Sequence, residues 1–488
     1  MTTTAPPTDR HSGPTGTPGA AGSAQEPPRV GLIERRRRTV ASGLLVSAQF
    51  VVMLDTSIVN VALPSVQADL DLSPAGLTWV VNAYVLAFGG LLLLSGRAAD
   101  LFGRRRMFMA GSALFTLGTL LAAAAANEGM LVGARVIQGV GAAALSPAAM
   151  SLLLVTFPGA ARAKAMSIWG AASAAGGATG VFLGGILAGT FGWSSVFLVT
   201  VPVTVAAVVL ARRVLDEPTF TVRHQFDWAG AATSTGAVIA LVHGCLGAAS
   251  GDWTSLSVLS SFAGFVVLTA AFIRVERRVT EPLVPLNLFA SRVLSTGVAL
   301  AVLGGAARAS TFVLVALYLQ QALHMAPQQA GLAMLPTAVT GFAVSLTLLP
   351  RVLRVLGPRR SLVLGLLVLA AGHLWLAYGP HDHGYPVAVL PGLLLVATGV
   401  ALSFTPTTMV IAAAVPPTQT GLAAGVAGSA TQVGAALGTA AFTAIGLTVS
   451  GSTATVLTPS GFTAAFTAAA VVSLITAAMG CTVIRNRN

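Results

Sequence analysis

Asp55 lies inside a long apolar run, nine residues before Pro64. At 1.5 Å per residue it sits about 13 Å below the outer end of its helix. A carboxylate at that depth is costly unless it faces a cavity, meets a cation or takes up a proton. Uptake and release of protons is the expected chemistry, and a buried acid tied to a cation for packing is the alternative. Asp55 is the only acid placed deep in any apolar run. Arg135 stands about five residues into another run, about 8 Å deep, so the two depths permit a pairing. Arg308 falls near the middle of a third run, either contacting solute or paired structurally. If all three groups line one cavity, its formal charge is +1 even with Asp55 ionised. Neutral, zwitterionic or anionic solutes are therefore expected over bulky dications.

Two further patterns concern movement rather than charge. Gly96, Arg97, Asp100, Gly103, Arg104 and Arg105 form a short loop in which the glycines permit tight turns. Asp100 has two candidate partners, nearby arginines and the positive N-terminal end of a helix. A helix beginning near Pro416-Pro417-Thr418 supplies such an end on the same face. Membrane orientation by the arginines is the simpler reading of the same loop. Gly176, Gly180 and Gly184 recur every four residues, with Gly185 beside them, and Gly434 and Gly438 repeat the device. Such smooth stripes let membrane helices approach closely, either as plain packing or as an interface between two halves.

Asn60, Asn82, Tyr84, Gln138, Phe312, Gln320 and Gln432 are candidate cavity-lining residues or helix-packing groups. His243 and His373 are expected to be hydrogen-bonded membrane histidines, and His381-Asp382-His383 to be a solvated loop rather than a metal site. Lys164 is the only lysine and no Gly-Lys-Ser/Thr occurs, which excludes a Walker A loop. Zinc-ligand spacing, Gly-x-Ser-x-Gly and dinucleotide fingerprints are also missing from the sequence. The expectation is a protein that is no enzyme and uses no cofactor, with protons as the coupling ion.

The elements that position these residues are membrane helices. Of 488 residues 55% are hydrophobic and 9% charged, against about 25% charged in soluble domains. Fourteen apolar runs read as helices over 39–63, 76–95, 107–126, 130–157, 165–189, 194–214, 228–250, 254–275, 292–321, 328–350, 361–380, 386–411, 421–447 and 461–484. The net charge of +12 falls in clusters between the runs, a pattern that orients helices in lipid rather than one that binds nucleic acid. With both termini inside, 25 of 27 basic residues lie in tails, cytoplasmic loops or cytoplasmic helix ends. Only Arg135 and Arg308 lie within helices, while Asp69, Asp71, Glu128, Asp252 and Asp382 fall outside. The expected location is the cell (inner) membrane.

Residues 1–38 are rich in Pro, Gly and Thr and end in four arginines, which predicts a disordered cytoplasmic tail. The motif at Gly96–Arg106 returns at Pro350–Arg360, placing Gly103 and Gly357 254 residues apart. The same offset relates Gly180 to Gly434 and Gly184 to Gly438. Two similar six-helix halves, 39–214 and 292–484, with a two-helix insertion and linker over 215–291, account for it. Parallel repeats of this kind are a transporter architecture with the solute site between the halves.

These residues resemble the major facilitator superfamily, specifically its fourteen-helix drug:proton antiporters of the EmrB/QacA type. Leu54–Pro64 resembles the first-helix signature, Gly96–Arg106 the cytoplasmic loop motif, and Arg135–Gly139 the fourth-helix motif. Tyr318–Gln320, Gly331–Pro336 and Gly421–Gly438 resemble segments of the C-terminal half. Two positions depart: Val181 follows Gly180 where the antiporter motif has proline, and Leu101 follows Asp100 where a basic residue is usual. The resemblance implies an all-α integral membrane protein of two six-helix bundles plus two inserted helices. It also implies proton-coupled export of an antibiotic or other small amphipathic molecule by a single chain. Asp55 and Arg135 would then be the coupling pair, the Gly96–Arg105 loop a conformational latch, and the glycine stripes an interface between bundles. A metabolite transporter of the same fold is the alternative, and a membrane sensor is a more distant one.

Overall fold

Lipid offers no hydrogen-bond partners, so each apolar run must satisfy its backbone internally and therefore coils into a helix. The computed structural model describes residues 32–157, 160–216, 227–249, 253–280, 282–380, 384–451 and 456–485. His381, Asp382, His383 and Asp252 lie outside the described residues, as do most of the N-terminal tail and of the 215–227 stretch. Among the described residues there is no strand.

The first six spans are α1 (Leu32–Leu70), α2 (Pro74–Phe102), α3 (Arg104–Ala123), α4 (Glu128–Thr156), α5 (Ala160–Phe191) and α6 (Ser194–Val214). Next come α7 (Trp228–Ala249), α8 (Leu256–Glu276) and α9 (Arg292–Leu317). The helical stretch Leu335–Tyr378 follows, broken at Gly357, where φ is 74°. We label its parts α10 (335–356) and α11 (358–378). α12 (Leu390–Ala412), α13 (Thr420–Ser450) and α14 (Pro459–Arg485) complete the chain.

Thirteen described helices are long and apolar enough to cross a membrane, one fewer than expected. The difference is the stretch Gln329–Tyr378, which has 50 residues and a contour of about 75 Å. A hydrocarbon core is about 30 Å thick, so this stretch makes two crossings with its turn at Gly357, and fourteen spans result. Two boundaries also move. The tail expected to reach Arg38 gives way to helix at Leu32, and α1 passes through Pro64 to Leu70. Proline is tolerated inside membrane helices because neighbouring groups satisfy the carbonyl it frees.

Packing follows the internal repeat. α1 packs on α5, α2 and α3 on α4, and α3 on α6. In the second half α9 packs on α13 and α14, and α11 on α12 and α14. The Gly103 and Gly357 turns both adopt positive φ, 103° and 74°, which L-residues with a Cβ rarely tolerate. The halves meet where α2 and α4 touch α13 and where α5 touches α10. α7 pairs with α8 and leans on both α2 and α13 across that seam. α8 lies outermost, with Leu259, Val266 and Val267 exposed, a face suited to lipid rather than water.

Candidate functional site

Asp55, on α1, and Arg135, on α4, meet in the core of the first half. Arg135 Nη1 donates to Asp55 Oδ2 at 2.7 Å, and the two residues are 2% and 0% exposed. Because α1 runs on through Pro64, Asp55 lies about 22 Å from its end at Leu70 rather than 13 Å. Gln138, one helical turn after Arg135, closes the arrangement. Its Nε2 donates to Asp55 Oδ1 at 3.1 Å, and its Oε1 accepts from Arg135 Nη1 at 2.9 Å.

Further groups hold the set in place. Gln138 Nε2 also donates to Thr119 Oγ1 of α3 at 2.8 Å, and Arg135 Nε donates to the Val80 carbonyl of α2 at 3.2 Å. The Arg135 guanidinium lies 4.3 Å from the centroid of the buried Tyr84 ring. Four helices therefore converge on one carboxylate. A buried pair of this kind gives little net stability, because desolvation offsets its attraction.

Tyr84 and Gln138, candidates for cavity lining or for helix packing, are buried parts of this set. The sequence held the signal for Gln138, since positions i and i+3 share a helix face. Thr119 and the Val80 carbonyl carried no such signal and were missed. The remaining polar candidates do not join the pair. Asn60 is exposed and its Nδ2 donates to the Thr56 carbonyl at 2.9 Å. Phe312 and Gln320 are exposed, Asn82 is partly buried on α2, and Gln432 is partly buried beside Gly89 at the α2–α13 contact. His243 and His373 have hydroxyl partners: Ser261 for the first, Thr311 and Ser473 for the second.

A second charged cluster joins the halves. Asp100 Oδ1 accepts from Arg104 Nε at 3.1 Å, from Arg104 Nη2 at 2.9 Å and from the Gly421 amide at 2.9 Å. Its Oδ2 accepts from the Leu422 amide at 2.7 Å. The carboxylate thus covers two otherwise unpaired amides at the positive N-terminal end of α13. Arg104 Nη2 reaches on to the Thr418 carbonyl at 3.1 Å, and Ser151 of α4 bonds Thr420 at 2.8 Å. Gly96 makes the approach possible, since a Cβ there would lie 2.4 Å from the Gly421 carbonyl oxygen. Arg105 ties the start of α3 to the Leu215 carbonyl at 3.2 Å, and Arg97, on α2, is partly buried. Asp100→Ala is expected to destabilise the protein by about 3 kcal/mol, because it strands the buried Arg104 charge. Thermal unfolding in detergent checks this; an unchanged midpoint would show that the cluster does not hold the halves.

The glycine stripes do not lie between the halves, which corrects the expectation for them. A Cβ at Gly176, Gly180 or Gly184 would come within 2.4–3.0 Å of the Phe50, Leu54 or Ile58 carbonyl oxygen of α1. Gly434 and Gly438 face Val302 and Ala306 of α9 in the same way. Each stripe seats a helix within its own half, and Gly185 meets nothing within 4 Å. α5 does touch the other half, but through Gly170, near Thr405 and Ser345, and through Ala174, near Gly341. Gly180 therefore fixes the height and rotation of α1 next to Asp55.

A helical fold of two similar halves that meet along one seam is a membrane transporter architecture. The Major Facilitator Superfamily profile matches residues 45–439 and again 297–488, and the chain belongs to that family. It is 38% identical over 463 residues to the puromycin resistance protein of Streptomyces alboniger, covering 91% of each chain. It is 36% identical over 418 residues to the cephamycin export protein of Amycolatopsis lactamdurans, covering 85% of each. In structure it resembles the human organic anion transporter MFSD10, with a TM-score of 0.64 at 16% identity over 93% of this chain and all of the other.

Proposed function

We propose that this protein is a proton-coupled exporter of small amphipathic molecules, an efflux transporter for an antibiotic or related compound. The observation that carries the reading is the closed set of Asp55, Arg135 and Gln138, a titratable carboxylate held out of water by one cation and one amide. Relatives named for puromycin resistance and cephamycin export support the direction and the kind of cargo.

The two halves, 39–214 and 292–484, rock about the seam between them, while the 215–291 insertion rides on α2 and α13. With Asp55 ionised, its pair with Arg135 is neutral overall and α1, α2 and α4 are drawn together. Proton arrival abolishes the attraction and leaves a buried cation, which favours the other arrangement of these helices. The Asp100 contact on α13 closes one end of the solute pathway in one state and parts in the other, so that access alternates. The protein sits in the cell (inner) membrane with its arginine-rich end and both termini on the cytoplasmic side, and one chain suffices.

Drug accumulation in a sensitive bacterial host tests this reading. Energised cells carrying the protein are expected to hold several-fold less puromycin or cephamycin-type compound than control cells. A protonophore is expected to erase the difference. Export that survives collapse of the proton gradient would overturn proton coupling.

A further inference from the structure

We infer that Arg308 is the receptor for an anionic group, a carboxylate, on the transported molecule; this deepens the exporter reading and rests on it. Arg308 lies in the middle of α9 and is 4% exposed. Its Nη1 makes one long contact, 3.4 Å to Ser403 Oγ of α12. Nε and Nη2 have no hydrogen-bond partner among the described residues. Arg135 provides the contrast, with its charge met by Asp55 and its Nε by a carbonyl.

Among the described residues no acid pairs with Arg308. After Glu281 the only acid in the sequence is Asp382, which lies between the apolar runs 361–380 and 386–411 rather than within one. Asp55, the one deep acid of the other half, is already held by Arg135 and Gln138. A buried guanidinium without a counter-charge is expensive, so the compensating anion comes from outside the protein.

The surroundings describe that anion. Gly304, one turn earlier, lets the guanidinium lie against bare backbone: a Cβ there would sit 2.6 Å from Nη1. The Phe404 ring, 5.8 Å from the guanidinium carbon, forms an apolar wall. Next to it, Thr405 reaches Gly170 of α5, so the group stands close to the seam that alternating access must open. The free Nε and Nη2 donors form one edge of the planar guanidinium, the fork that carboxylates bind through two parallel hydrogen bonds. The ligand class is an amphipathic monocarboxylate with an aromatic or other apolar body.

The test uses the full-length protein purified in detergent and two probes, N-dansyl-phenylalanine and its methyl ester, which lacks the negative charge and carries one extra methyl group. Fluorescence titration reads both affinities. The acid is expected to bind the wild type about tenfold or more tightly than the ester. Arg308→Gln is expected to remove that preference on the acid side while leaving ester binding within about twofold, which also reports that the variant is folded. Arg308→Lys is expected to recover only part of it, having charge without the fork. Equal affinities in the wild type, or an acid preference that survives Arg308→Gln, would overturn the assignment. So would displacement of the acid by millimolar chloride with no preference over the ester, which would make Arg308 an inorganic-anion site. Ester transport driven by a pH gradient, without an acid preference, sinks the anion receptor alone. An Arg308-dependent acid preference without any coupled proton movement sinks the proton-driven reading alone.

Discussion

Asp55→Asn is expected to abolish uphill export while leaving downhill exchange of the same solute measurable. Asparagine keeps the size of the side chain and one oxygen for the Arg135 and Gln138 donors, so α1 and α4 still pack. What it loses is the charge and the capacity to exchange a proton. Arg135, 2% exposed, then carries an uncompensated buried charge in every state, a penalty of about 3 kcal/mol. Two readouts separate these effects. A lower unfolding midpoint reports the stranded charge, whereas loss of concentrative transport with retained exchange reports uncoupling. Concentrative transport by Asp55→Asn at the wild-type rate would remove Asp55 from the coupling mechanism.

The second large effect is expected at Gly180. A Cβ there would lie 2.7 Å from the Leu54 carbonyl oxygen and 2.8 Å from the Ser57 Cβ, so Gly180→Leu must push α1 away from α5. Leu54 precedes Asp55, and the displacement therefore moves the carboxylate relative to Arg135. Hydrogen-bond geometry tolerates only a few tenths of an ångström. Transport is expected to fall about 100-fold or more, with the protein still inserted in the membrane. Gly185→Leu is the control, because nothing lies within 4 Å of Gly185, and it is expected to transport nearly as the wild type does. Equal activity of both variants would show that the α1–α5 contact does not set the position of Asp55.

Charge was the most legible feature of the sequence. Asp55 and Arg135 stand out because ionisable residues inside apolar runs have few reasons to be there. The partner of Asp100 was legible, since an acid and a free helix start on the same face complement each other. The loop expected over 96–106, however, is helix on both sides of a turn at Gly103 alone. Direction was less legible. The glycine stripe announces a close approach but not which helix approaches, and it faces α1 rather than the other half. Gln138 looked like one polar side chain among several, although its spacing from Arg135 placed both on one face of α4. Helix ends were read short at Pro64, because proline ends helices in water more readily than in a packed membrane bundle. The single merged stretch around Gly357 shows the converse: a helix counted by length alone hides a turn that the internal repeat had marked.

The most direct measurement of the central claim is proton movement on addition of drug to proteoliposomes containing the purified protein. A pH-sensitive dye inside weakly buffered vesicles would be followed across a panel of antibiotics and dyes. Coupling through Asp55 predicts proton flux opposite to that of the drug for at least one compound, lost in Asp55→Asn vesicles. Drug movement with no accompanying proton flux, or flux unchanged in the Asp55→Asn protein, would contradict it.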